Sequence, residues 1–423
     1  MTTISPWPAS QSSLRPPASV VHRIEVEVKE WDWVDLIMPH SAIADLTRNV
    51  EKVVSVQLLP SGRVRLAASS FVGRLRLGSV DLLLRPKLPI PSLLALLAEV
   101  HELARLVPDF AGFQQTPEIV DLLIHVFLNQ VDYLAQRGLK RTYVNFDEEI
   151  IPVRGRLDVR RTFALHMRAK PKVWCMFDEY TLDGAENRAL LATLRAISSN
   201  SSFSQQRRRV AHKLMTDFVG VADVRLHASQ VESIVCDRLT SHYEPALRLA
   251  RLILASMGLA NEFGGVESSG FLLNMNELFE QFVFRRLSAL LGSRGISVRR
   301  QVTMPFDEFT YATIRPDLVI QAKSGRRMVA DTKYKATGKP DREDLYQMLA
   351  YCRVMGIDRG LLITAGERTS RTYAVRDGET TIDVVSVDLD GTIANIQKSI
   401  EYLAEWIRNC LELKPDVAKR YAR

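Results

Sequence analysis

Short runs in which apolar and polar residues alternate fill the chain from residue 20 to about residue 89. HRIEVEVKEW, VVSVQLLP, RVRLAAS, FVGRLRLG and DLLLRPKL are separated by turn signals such as Pro60-Ser61-Gly62 and Gly78-Ser79. A period of two belongs to half-buried strands, so this stretch predicts a small, mostly antiparallel β domain. A linking helix is expected over residues 90–106. From about residue 116 to residue 258 the spacing lengthens to three and four. In PEIVDLLIHVFLNQVDYLAQRGL, residues Ile119, Leu122, Leu123, Val126, Phe127 and Val131 share one helical face. Pro117 suits the first turn and Gly138 the C-cap. Further helices are predicted over 187–197, 205–219 and 245–257, and the Gly- and Ser-rich stretch 264–270 reads as a loop or boundary. Beyond it come a helix (274–291), strands, a helix (341–355), more strands and a last helix (393–411). That order is an α/β layer arrangement. The expectation is therefore an α+β multidomain chain. It comprises a flexible leader (1–19), an N-terminal β domain (20–110), a helical middle domain (111–262) and a C-terminal α/β domain (263–423).

Composition adds bounds to this picture. With 423 residues, 46% hydrophobic and 25% charged, the chain is an ordinary globular one with room for two or three cores. No run approaches the roughly 18 apolar residues that a membrane span needs. The Pro- and Ser-rich N-terminus lacks the basic and apolar blocks of a signal peptide, so a cytoplasmic location is expected. Cys175, Cys236, Cys352 and Cys410 are scattered without a CxxC pair, which favours reduced thiols over zinc or disulfides. The net charge is +7, and residues 137–172 hold ten basic against four acidic side chains. Such a segment can neutralise phosphates, and it is equally an ordinary solvated surface.

The chemistry concentrates in IRPDLVIQAKSGRRMVADTKYK, residues 314–335. Two apolar runs flank a turn at Lys323-Ser324-Gly325-Arg326, a β-hairpin pattern. Residue 324 is the midpoint of 317 and 331, so a symmetric hairpin sets Asp317 opposite Asp331. Lys333, two residues on, projects from the same face as Asp331. Facing carboxylates repel, and a hard cation resolves the conflict. Mg²⁺ accepts one or two carboxylates together with water and phosphate oxygens, and Mn²⁺ can substitute for it. A lysine beside it would orient or help deprotonate a water and offset charge during in-line hydrolysis of a phosphodiester. The upstream helix carries Glu277 and Glu280 at polar positions; solvation is the ordinary fate of a helical Glu, and Glu280 is the candidate for the metal shell. Downstream, Gln347 and Tyr351 share a helix face at i, i+4, from which they can reach substrate or orient the lysine.

The succession FLLNMNELFEQFV, RPDLVI, VADTKYK and DLYQMLAYC resembles the McrC family, nuclease subunits of McrBC-type, modification-dependent restriction systems with a PD-(D/E)xK centre. Upstream, DLLLRPKLPIPSLLALL, VRGRLDVRR and CMFDEYTLDGAENRALLATL are similar too, so the likeness runs from about residue 80 to residue 365. It implies a catalytic set at Asp317, Asp331 and Lys333, with Glu280 and Gln347 in support. Family members often carry Ala where this chain has Thr332, which is expected on the opposite strand face and without effect on the chemistry. The resemblance also implies DNA as substrate and an McrB-like AAA+ GTPase ring as partner, into which the N-terminal region docks. No GxxxxGK[ST] stretch is present (GRLRLGS and TAGERTS lack the lysine and spacing), so nucleotide is expected on the partner alone. Arg63, Arg65, Arg74 and Arg76 are candidates for stimulating that GTPase, and Arg154, Gly155, Arg156 and Asn187 for contacting DNA or bracing the fold. Two nuclease copies are expected where both DNA strands are cut. Competing readings are a standalone repair or mobile-element nuclease, and a non-catalytic activator of a partner NTPase. No nucleophile motif accompanies the histidines and no GxGxxG is present, which disfavours a Ser–His–Asp hydrolase and a dinucleotide enzyme.

Overall fold

The computed structural model describes residues 23–47, 50–60, 62–103, 106, 118–264, 268–335, 340–376, 378–390 and 392–412. The leader over 1–19, Pro117 at the expected helix start and the tail beyond 412 lie outside them. The N-terminal strands are β1 (Ile24–Lys29), β2 (Trp33–Leu36), β3 (Val54–Leu58), β4 (Val64–Ala68), β5 (Phe71–Leu77) and β6 (Val80–Arg85). They form an antiparallel sheet β2-β4-β3 and a second sheet begun by β1-β6-β5. Alternate residues such as Val64, Leu66, Leu75, Leu82 and Leu84 turn inward to one core. The parallel β1–β6 pair is the exception to the antiparallel expectation.

Helices Ile90–Val100, Ile119–Arg137, Ala185–Ser199, Gln205–Leu214 and Glu244–Gly264 follow the apolar periodicity. All six predicted face residues of the second helix are buried, and Gly138 ends it at φ 90°. The middle zone is not purely helical, however. Strands β7 (Thr142–Ile150), β8 (Arg156–Leu157) and β9 (Val173–Thr181) make an antiparallel sheet. This sheet and helix Val159–His166 bury only two apolar side chains, Leu165 and Cys175, among them. The helix covers β9 only in part, and TYVNFDEEI and VWCMFDEYT carry charged residues on both faces, so the pattern does not announce strands. Asn187, 1% exposed, ties the base of this projecting unit. Its amide donates to Lys140 O and Leu182 O, both at 2.8 Å, and its oxygen accepts from Tyr243 Oη at 3.1 Å.

Strand β10 (Ser268–Asn274) begins within the stretch 264–270 read as a loop or boundary. It pairs antiparallel with β5 and completes the N-terminal sheet. The backbones approach closely because Gly73, at φ 135°, has no Cβ to strike the Phe271 carbonyl oxygen. Asn274 then caps helix Met275–Gly292, its side chain accepting from the Asn276 and Glu277 amides.

The remaining strands are β11 (Ser297–Arg300), β12 (Met304–Pro305), β13 (Thr313–Ile314), β14 (Leu318–Gln321), β15 (Arg327–Lys333), β16 (Arg359–Ala365), β17 (Ser370–Ala374) and β18 (Thr381–Val387). Six form a mixed sheet in the order β11-β14-β15-β16-β18-β17, parallel across β15, β16 and β18. One sheet face, with Ile320, Met328 and Ile363, joins helices Met275–Gly292 and Ile393–Glu412 in a core continuous with the middle helices. The other face, with Val319, Val329 and Leu362, packs against Met348, Cys352 and Met355 of helix Arg342–Met355. No described helix is long and apolar enough to cross a membrane.

A Cβ at residue 73 must push β10 off β5. Gly73→Ala is expected to cost about 2–4 kcal/mol, seen as a lower unfolding midpoint. Gly258→Ala, in a helix with nothing within 4 Å of the new Cβ, should instead stabilise by about 0.5–1 kcal/mol.

Candidate active site

The hairpin adopts the expected register. Leu318 pairs with Ala330 and Gln321 with Arg327, and the turn closes through Gly325 N donating to Ala322 O, 3.0 Å. Gly325 takes φ 82° there, a conformation that suits glycine. One step beyond the first pair, Asp317 meets Asp331. On this face, toward helix Arg342–Met355, Lys333 Nζ stands 2.8 Å from Asp331 Oδ2. It also donates to Gln347 Oε1 at 2.9 Å, and Gln347 Nε2 donates to Tyr351 Oη at 2.8 Å. The i, i+4 pair thus forms a chain that ends on the lysine.

Asp331 is 3% exposed. Burial and the neighbouring Asp317 push its carboxyl up to about 6, against the pull of Lys333. Apart from the Lys333 ammonium, among the described residues the buried Asp331 Oδ2 has no donor. Burial works against the Lys333 ammonium, but Asp331 and Asp344 outweigh it and hold its pKa above the ordinary value.

Three residues at the site escaped the sequence reading. Thr332 was expected on the far face without consequence. Instead its amide and its hydroxyl both donate to Asp317 Oδ2 at 2.7 Å, because at the strand end the hydroxyl reaches the facing chain. Asp344 is buried, 3.7 Å from Lys333 Nζ, and accepts from Lys335 Nζ at 2.6 Å. It exchanges bonds with Asp341 in a capping box. The Asp-x-x-Asp spacing ahead of the helix is the sequence signal for that arrangement. Arg300 is the third, and it engages the residue expected at the metal.

Glu280 departs from expectation. Its helix packs on the opposite sheet face, and its carboxylate accepts from Arg300 Nε at 2.7 Å and Gln301 Nε2 at 2.9 Å. Among the described residues no group of three or more acidic, His or Cys side chains is arranged to hold a metal. The connection from Glu280 to the site is indirect: Gln301 N donates to Asp317 O at 2.8 Å. Glu277 is exposed and accepts from Gln281. The arginine candidates upstream are engaged as well. Arg74 and Arg76 clamp buried Asp81, Arg65 pairs with Asp35, and Arg63 donates to Asp35 O. Arg154 lies 3.7 Å from Glu179 and over the Phe177 ring. Gly155, at φ 61°, passes too close to β9 for a side chain. All four cysteines are free thiols.

The pair Asp317/Asp331 offers hard oxygen donors, one of them buried and faced only by the Lys333 ammonium among the described residues, and this suits a hard divalent cation. Without one, Asp331 is a liability. Between the ordinary carboxyl range near 4 and about 6, the folded chain holds a proton that the unfolded chain has released. Stability therefore falls as pH rises through that window and stays lower above it. In EDTA at pH 8, Asp331→Asn should exceed the parent in unfolding free energy by about 1–2 kcal/mol, with the gap closing toward pH 4. Added Mg²⁺ should raise the parent's midpoint and leave the variant's unmoved.

Two solved chains from Thermococcus gammatolerans are similar to this one. A chain of the tetradecameric assembly of McrB AAA+ hexamers with bound McrC superposes at TM-score 0.59 and 19% identity, covering 90% of this chain and 100% of that one. A chain of the McrBC complex matches at TM-score 0.45 and 20% identity, over 63% of this chain and 88% of that one. No curated protein sequence matches. The family model described as McrBC 5-methylcytosine restriction system component matches residues 66–364. That span exceeds half of the chain, and the protein belongs to this family.

Proposed function

We propose that this chain is the metal-dependent, DNA-cleaving subunit of a McrBC-type restriction complex and works with an AAA+ GTPase ring. The observation that carries this reading is the convergence of Asp317, Asp331 and Lys333 at the end of one hairpin, with a buried carboxylate oxygen that, among the described residues, only the Lys333 ammonium faces. Asp317 and Asp331 would hold Mg²⁺ or Mn²⁺, which when bound supplies charge neutralisation at the phosphate and an activated water. Lys333, with its pKa held above the ordinary value, enters as an ammonium. Its part is to orient and to offset developing negative charge rather than to take a proton. Gln347 and Tyr351 keep the ammonium aimed, and Thr332 fixes the Asp317 carboxylate. Glu280, engaged by Arg300 and Gln301, braces the chain behind Asp317. The centre is read as PD-(D/E)xK, and the substrate as DNA bearing 5-methylcytosine, the base in the family description. Duplex cutting needs two such centres, hence two copies in the active assembly.

The partner reading has support in the projecting unit of β7, β8 and β9. Eight exposed large apolar side chains lie between Tyr143 and Tyr180, Phe163 and Met167 among the most open. Exposed apolar side chains so concentrated mark a protein-docking surface. This unit, more than the engaged arginines of the N-terminal domain, fits contact with a ring.

Plasmid cleavage with GTP, Mg²⁺ and the cognate ring tests the chemistry. Asp331→Ala is expected to lose cutting by at least about 100-fold while still stimulating the partner GTPase. Undiminished cutting would favour the non-catalytic activator instead. For the docking surface, Phe163→Ser with Met167→Ser should weaken partner binding by at least about tenfold in pull-down titrations, with an unchanged circular dichroism spectrum.

A further inference from the structure

Tyr334 directly follows the lysine of the site, and its side chain leaves on the opposite face. Its ring lies against Phe279, centroids 6.0 Å apart, and its hydroxyl donates to Glu30 Oε1 at 2.7 Å. Glu30 comes directly after β1, at the other end of the chain, and is 1% exposed. The Lys87 amide donates to the same oxygen at 2.5 Å, and the Glu30 amide donates to Arg85 O at 2.9 Å. Among the described residues the second oxygen, Oε2, has no hydrogen-bond donor. Burial pushes this carboxyl above its usual range, although the Lys87 amide and the Tyr334 hydroxyl pull the other way. A buried polar pair of this kind is costly, and apolar residues of the same volume would pack as well without it. Packing alone does not account for it.

The ladder of β15 suggests what does. Its pairing with β14 covers Arg327 to Ala330, whereas its pairing with β16 continues to Lys333 opposite Thr364. At the end that presents Lys333 the backbone ladder is thus one-sided, with the Asp317 side chain accepting from Thr332 on the other side, and the next residue is anchored by its side chain. We propose that the Tyr334–Glu30 hydrogen bond is a positioning link through which the N-terminal β domain fixes the strand end carrying Lys333. The link rests on the nuclease reading of that site. Without the bond, the tyrosine ring still fills its place, but the strand end loses one of its anchors and Lys333 is held less firmly beside Asp331.

The full-length chain with its AAA+ partner, GTP, Mg²⁺ and a plasmid containing 5-methylcytosine provides the test, under single-turnover conditions. Tyr334→Phe should cut about tenfold more slowly, with plasmid binding and GTPase stimulation unchanged. Glu30→Gln, whose amide oxygen still accepts both bonds, should stay within about twofold of the parent. Glu30→Ala should fall to the level of Tyr334→Phe, and the Glu30→Ala/Tyr334→Phe double variant no further. A parental rate in Tyr334→Phe, additive losses in the double variant, or an equal loss in Glu30→Gln that follows a lowered melting midpoint would each overturn the link. Asp331→Ala run in parallel separates the two claims. If it cuts like the parent, the nuclease reading itself fails and the link falls with it.

Discussion

Two carboxylates brought face to face, one of them out of water, repel each other, and much of the local structure is a response to that conflict. Hairpin register forces the encounter, because slipping β14 by one residue against β15 would move Leu318 and Ile320 from the core they share with Met328 and Ala330 to the face toward helix Arg342–Met355. The pairing that buries the sheet is therefore the pairing that opposes Asp317 and Asp331. What surrounds them moderates the repulsion without removing it. Thr332 supplies two donors to one carboxylate, and Lys333 stands by the other. The helix beyond contributes Gln347 and Tyr351 as a support for the ammonium. Part of the conflict stays unresolved by the described side chains, as the raised Asp331 pKa records.

The layers outside the sheet give this arrangement its stiffness. Helix Arg342–Met355 is anchored at its start by the Asp341/Asp344 box, and Lys335 bridges both carboxylates. Helix Met275–Gly292 covers the opposite face, where its Glu280 holds Arg300 and Gln301 and so reaches Asp317 through the backbone. A single apolar core continues from these layers into the middle helices. The β14–β15 pair is therefore braced from both faces, while the projecting unit of β7, β8 and β9 adds almost nothing to that core.

Much of this was legible in the residues themselves. The three- and four-residue spacing located helix Ile119–Arg137, and the symmetry about residue 324 located the hairpin and its opposed aspartates. Local pattern suffices where one face is buried and one is wet. It fails where that contrast is weak, as in β7 and β9, where charged residues fall on both faces. It fails also where the partner is remote. SSGFLLN carries turn-forming residues at its start, and nothing local reveals that β5 waits for it. Glu280 illustrates a third limit: helical spacing fixes the face a side chain occupies, but not which side of a sheet that helix will cover. Thr332 illustrates a fourth, because alternation along a strand does not bar a short hydroxyl at the strand end from reaching the facing chain.

The late arrival of β10 has a consequence during synthesis. Its partner β5 ends at Leu77, whereas β10 begins at Ser268, so roughly 190 residues must be made before the pair can form. At about 5–20 residues per second that is a wait of about ten to forty seconds. Throughout it the growing chain presents the unpaired edge of β5, a template for any other strand nearby. Production on the ribosome thus passes through a stage in which the sheet is open, and cells that make this protein must shelter or outpace that stage.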